Sequence, residues 1–124
     1  MPPFIDANVI VSAFTDSENR KLCQSAIAKT FVTDSLCMVE AYNFIAKISK
    51  SKEHASESIK SLYGRGIIVQ LDKNLLFSGL KMAGSSRLNI FDSIHYAAAL
   101  LNECSEFISY DKDFDNLQIK RTRP

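Results

Sequence analysis

The residues in this sequence with the greatest capacity for chemistry are acids. Asp6 follows the apolar pair Phe4-Ile5, Glu40 lies within Leu36-Cys37-Met38-Val39-Glu40-Ala41, and Asp92 opens an alanine-rich run. Asp111, Asp113 and Asp115 follow Phe107-Ile108-Ser109-Tyr110. Singly, each has an ordinary explanation as a turn residue, a first-turn helix acid or a surface charge. Jointly they differ, because converging carboxylates repel: two unit charges about 5 Å apart cost about 3 kcal/mol at an effective dielectric of 20. Such a cluster takes up protons or holds a cation. Oxygen-only ligands suit a hard ion, Mg²⁺ or Mn²⁺, which binds phosphate oxygens, orients water and neutralises charge at a phosphodiester.

Other chemistries have little support. Cys23, Cys37 and Cys104 are odd in number, widely spaced and without a C-x-x-C pattern, so neither a disulfide framework nor a zinc site is expected. They read as buried thiols in a reducing compartment, the cytoplasm. The two histidines, His54 and His95, are too far apart to form a local pair. His95 stands three residues after Asp92, within one helical turn. We read it as a packed helix residue without a catalytic role, a hydrogen bond to Asp92 being the other use open to it.

Elements must bring the acids together. Phe4-Ile5, with Val9-Ile10-Val11 behind it, reads as a first strand running into a turn or helix. Helical spacing appears over residues 17–30, 36–50, 52–63, 72–83 and 92–103, and apolar strand runs over 30–33, 67–71, 107–110 and 117–121. Asp34 or Ser35 is the expected N-cap of the helix over 36–50, whose apolar stripe is Cys37, Ala41, Phe44 and Ile48. Glu40 lies about 100° from the centre of that stripe, on its shoulder. Ile67 to Leu71 reads as a buried strand. Strands alternating with helices predict a parallel sheet covered on both faces, with the site beyond the carboxyl ends of the strands. Asp6, Glu40, Asp92 and Asp111 all fall at that edge.

The chain of 124 residues is one domain's worth, 1–124, and its 46% hydrophobic and 23% charged residues are those of an ordinary globular protein. No apolar run approaches the length that spans a bilayer, and Asp6 and Asn8 interrupt the first stretch, against a secretory signal. Fifteen basic and fourteen acidic residues name no partner by net charge. Lys47 and Lys50 in the middle, and Arg121 and Arg123 at the end, are candidates for phosphate contact.

These segments resemble a family. Phe4-Ile5-Asp6-Ala7-Asn8-Val9-Ile10-Val11, the segment around Glu40, Phe91-Asp92-Ser93-Ile94-His95-Tyr96-Ala97-Ala98-Ala99-Leu100, and Ser109-Tyr110-Asp111-Lys112-Asp113-Phe114 look like the four signatures of PIN domains, in order and over essentially the whole chain. The compact size is most similar to VapC-type toxins of prokaryotic toxin–antitoxin pairs. The resemblance implies a three-layer α/β/α fold with a central, mostly parallel five-stranded sheet. It implies a Mg²⁺- or Mn²⁺-dependent endoribonuclease acting on single-stranded or loop RNA, with a small antitoxin as partner and a homodimeric state. Asp6, Glu40, Asp92 and Asp111 match the family's acidic quartet and Asp113 a less constant fifth acid. Asn8 matches a residue that supports the first aspartate, and Ser109 one that supports the last. The compact segment from Ser51 to Gly66 implies a short helical clip over the site. Tyr42 or Phe114 is the expected base-stacking aromatic.

Two rival readings remain at this level. One is a PIN-type RNA-processing nuclease outside a toxin–antitoxin pair. The other is a phospho-accepting receiver-like signalling domain, which also joins a doubly wound sheet to acids and Mg²⁺. It needs an acidic pair after the first strand, where this chain has Asp6 followed by Ala7-Asn8.

Overall fold

The computed structural model describes all 124 residues. Five short strands form one sheet: β1 (Phe4–Ile5), β2 (Val32–Asp34), β3 (Ile67–Val69), β4 (Phe107–Ile108) and β5 (Arg121–Thr122). Their order is β3-β2-β1-β4-β5, and every neighbouring pair is parallel. Six helices cover it: α1 (Ala7–Ala13), α2 (Arg20–Ala28), α3 (Ser35–Ser49), α4 (Lys52–Lys60), α5 (Lys73–Ser85) and α6 (Ile90–Leu101). The three-layer α/β/α architecture is the one expected. The strand order is not the 2-1-3-4-5 order of the receiver-like fold, which removes that rival.

Strand alternation builds two cores. Phe4, Val32 and Phe107 point to one face, where they pack with Tyr96, Phe114 and the Ala97-Ala98-Ala99 run of α6. Ile5 and Ile108 point to the other, against Val9, Ile10, Cys23, Ile27, Met38 and Ile45. On the first face Phe107 stacks on Phe4 at 4.8 Å and on Phe114 at 4.2 Å between ring centroids. Burying a large apolar side chain of this kind contributes roughly 1.5–3 kcal/mol.

Several elements differ from expectation. The undecided segment after β1 is helix α1, started by Asp6, whose carboxylate accepts from the Ala7 N–H. The second helix begins only at Arg20, and β5 lies later than the apolar run over 117–121. β3 is half exposed, Ile67 at 49%, because the strand order places it at the sheet edge. The buried face of α3 is Cys37, Met38, Ala41 and Ile45, whereas Phe44 and Ile48 are exposed. The stripe is therefore rotated: Phe44 and Ile48 face away from the core, and Glu40 is partly buried. The segment expected to form the clip folds as α4, which packs on α3 and ends in a 3₁₀ turn over Ser61–Gly64.

α5 and α6 pack closely because Gly79 carries no side chain. A Cβ there would lie 2.6 Å from Ile94 Cγ1 and 3.1 Å from its Cα. Gly79→Val is expected to destabilise the fold by about 1–3 kcal/mol through overpacking, read as a lower urea midpoint with an unchanged slope.

Candidate active site

Parallel strands deliver their following residues to one edge, and the acids assemble there. Asp6 comes directly after β1, Ser109 directly after β4, and Asp111 caps a 3₁₀ turn over Lys112–Phe114. Asp92 lies in the first turn of α6; the N-cap of that helix is Asn89, whose side chain accepts from the Asp92 N–H at 2.8 Å. Glu40 reaches in from α3. Asp6, Glu40, Asp92 and Asp111 line a single open cavity of about 430 Å³, together with Asn8, Ser12, Val11 and Phe44. Asp92, Asp111 and Asp113 present carboxylate oxygens within 4.8 Å of one another.

Asp6 is the most enclosed of the four acids that line the cavity, 6% exposed. One oxygen accepts from the Ala7 N–H at 2.8 Å, the other from the Ser109 hydroxyl at 2.7 Å and the Asn8 amide at 3.4 Å. Burial pushes its carboxyl above the usual range against the opposing pull of His95, Ser109 and Ala7. Asn8 also donates to the Ser109 hydroxyl at 3.1 Å and accepts from the Tyr110 N–H at 3.3 Å. The Ser109 hydroxyl proton goes to Asp6, and its oxygen accepts from the Asp111 N–H at 3.0 Å. The Ser109 hydroxyl thus contacts both aspartates, donating to the Asp6 carboxylate and accepting from the Asp111 N–H. Burial, then the nearby charges of Asp6 and Asp111, push Asp92 up to about 6.

A second set of groups lies directly beneath. His95 is 1% exposed, with Nδ1 2.7 Å from Asp34 Oδ2 and Nε2 2.6 Å from Glu40 Oε1. Burial pulls its pKa down, but the hydrogen bonds to the Asp34 and Glu40 carboxylates more than reverse this and raise it. Burial also raises the Cys37 thiol, which stays neutral, so the two carboxylates are the cause of the imidazolium. The Asp6, Cys37 and His95 group is therefore no metal site: both ring nitrogens are spent as donors and the sulfur is protonated.

The other candidates divide. Asp113 is exposed beside Asp111, its N–H donating to Asp111 Oδ1 at 2.9 Å. Lys47 and Lys50 are exposed on α3 and at its end, outside the cavity lining. Arg121 is spent internally: it donates to both Asp115 oxygens, at 2.6 and 3.3 Å, and to the Ser109 carbonyl at 3.0 Å. Arg123 is exposed, its guanidinium 5.3 Å from the centre of the Tyr110 ring. Phe114 is fully buried and cannot stack on a base, and Tyr42 lies in a separate groove between α3 and α4. The aromatic in the cavity is Phe44, 53% exposed. Asp34 could have been found by the same carboxyl-end rule that found Asp6, since it ends β2. His95 bonds Glu40 rather than Asp92, a partner that only the packing of α6 on α3 reveals.

The PIN domain family model matches residues 4–120, and the chain belongs to that family. The fold is similar to that of VapC20 from Mycobacterium tuberculosis, described as a sarcin-ricin loop cleaving toxin. The TM-score is 0.80 at 11% identity, over 98% of this chain and 99% of that one. It is similar to a toxin–antitoxin complex from Klebsiella pneumoniae, with a TM-score of 0.75 at 16% identity over 95% and 93% of the two chains. It is also similar to VapBC2 from Rickettsia felis bound to a DNA fragment from their promoter, with a TM-score of 0.75 at 14% identity over 100% and 99%. At these identities the likeness is one of fold. No curated protein sequence matches.

The raised Asp92 fixes the sign of a pH effect. The folded protein keeps this proton up to about pH 6 and the unfolded chain only to about pH 4, so stability from this group is lost as pH rises between them. Without metal, Asp92→Asn is expected to melt higher than wild type at pH 7.5, by about 3–5 °C after allowance for solvent screening. The difference should shrink towards pH 5. A variant that melts lower at every pH in calorimetry would show that Asp92 is a structural anchor instead.

Proposed function

We propose that this protein is a Mg²⁺- or Mn²⁺-dependent endoribonuclease of the VapC toxin type, cleaving single-stranded or looped RNA. Its partners in this reading are a small antitoxin protein and a second copy of itself, in the cytoplasm. The observation that carries the reading is the convergence of Asp6, Glu40, Asp92 and Asp111, from four separate stretches of sequence, on one open cavity at the sheet edge. Membership of the PIN family and the likeness to toxin–antitoxin folds support it, and no helix is long and apolar enough to cross a membrane.

The donor set fits a hard divalent ion. Asp6, Asp92, Asp111 and Asp113 offer oxygens only, the one imidazole nearby is fully engaged, and the burial and repulsion that lift Asp92 are what a cation would offset. These acids and Glu40 would hold the ion. Bound there, it would supply charge neutralisation and an acidified water at a phosphodiester. Asn8 and Ser109 fix Asp6, and the 3₁₀ turn holds Asp111 and Asp113 side by side. Glu40 orients the attacking water. Phe44 offers a face for a base beside the scissile bond. Lys47, Lys50 and Arg123, all exposed, would serve phosphates farther along the strand; Arg121 is not counted among them.

Attack by water rather than by a ribose 2′-hydroxyl leaves a 5′-phosphate and a 3′-hydroxyl. Purified protein with Mn²⁺ is expected to cleave single-stranded RNA to such ends, and Asp6→Asn to lose at least about 100-fold in rate, read on labelled RNA in gels. RNA left equally intact by both proteins ends the enzyme reading. Phe44→Ala is expected to raise KM about 5- to 100-fold, as loss of one stacking contact of about 1–3 kcal/mol would. An unchanged KM would remove Phe44 from the RNA path.

A further inference from the structure

The acids at the sheet edge fall into two sets with different surroundings. Asp6, Asp92, Asp111 and Asp113 have no cationic side chain bonded to them, whereas Glu40 does. Its Oε1 lies 2.6 Å from His95 Nε2, and the opposite nitrogen of the same ring lies 2.7 Å from Asp34 Oδ2. Asp34 is itself immovable: it is fully buried at the end of β2, and its Oδ1 accepts from the Cys37 N–H at 2.7 Å as the N-cap of α3. The backbone of α3 thus holds Asp34, Asp34 holds the ring, and the ring holds a side chain one turn farther along the same helix. Phe4 packs against the ring at 6.4 Å between centroids. No other polar side chain bonds Glu40, so Oε2 is left for the cavity that Glu40 lines.

We propose that Asp34 and His95 are positioning residues for Glu40, locking its carboxylate so that a single oxygen, Oε2, is presented to the ion and water of the site. A free glutamate has three rotatable bonds, and ordering them costs rotamer entropy. The buried ring has already ordered it. Oε1 already accepts from the ring, which makes Oε2 the freer donor, and Glu40 acts as a one-oxygen ligand or water-orienting group. The inference rests on the metal-dependent reading above and narrows the role of Glu40 within it.

The test is a double-mutant cycle between His95→Gln and Glu40→Ala in the full chain, with two readouts. The first is Mn²⁺ affinity by titration calorimetry without RNA; the second is the split of kcat and KM on single-stranded RNA. His95→Gln alone is expected to weaken Mn²⁺ binding about 3- to 10-fold and to lower kcat at least 10-fold, with KM within 2-fold. On the Glu40→Ala background the same substitution should change neither quantity further. Equal losses on both backgrounds would show a general structural role for His95 and overturn the proposal. Asp34→Asn keeps the cap to Cys37 while removing one carboxylate from the ring, and it serves the same cycle if His95→Gln does not fold. Coupling in the Mn²⁺ titration without RNA cleavage by the wild type would uphold the positioning role and remove the nuclease reading alone.

Discussion

Asp6, Asp92 and Asp111 repel one another across a half-buried pocket, and the neighbouring side chains are arranged to withstand that repulsion. Ser109, Asn8 and the Ala7 N–H direct donors at Asp6, the most enclosed of the three. Burial lifts Asp6 in spite of those donors, and Asp92, with no donor of this kind on its carboxylate, is pushed up to about 6 by burial and by the charges of Asp6 and Asp111. The strain is concentrated where a cation would sit.

The remaining acids at this edge are neutralised from within the chain. Asp34 and Glu40 share the charge of His95, and Asp115 is held by Arg121, which also lowers its pKa through a direct hydrogen bond. Of the three aspartates in the turn after β4, only Asp111 and Asp113 are therefore left for an external partner. Internal cations engage Asp34, Asp115 and one oxygen of Glu40 and leave the other carboxylates unpaired, a distinction that residue type alone does not contain.

The fold tolerates identities of 11–16% with its structural neighbours because few positions carry the constraint. The two cores need apolar residues of suitable volume on alternating faces. The cavity is lined by an acid after β1, one after β4, one at the start of α6 and one on α3. Between those points the sequence is free to drift while the parallel register still delivers each group to the same edge.

The sequence by itself determined the class of fold, the sheet edge that carries the site, and the four acids that line it. Alternating strand and helix patterns are local, and a residue directly after a parallel strand has nowhere else to go. Tertiary structure decided the rest, because it depends on which elements pack together. The strand order made β3 an edge strand and removed the receiver-like rival. The rotation of α3 about its axis exposed Phe44 and buried Met38 and Ile45, which no wheel drawn without neighbours could choose. The crossing of α3, α6 and β2 turned His95 from a packed residue into the cation between Asp34 and Glu40, residues 61 and 55 positions away in the chain.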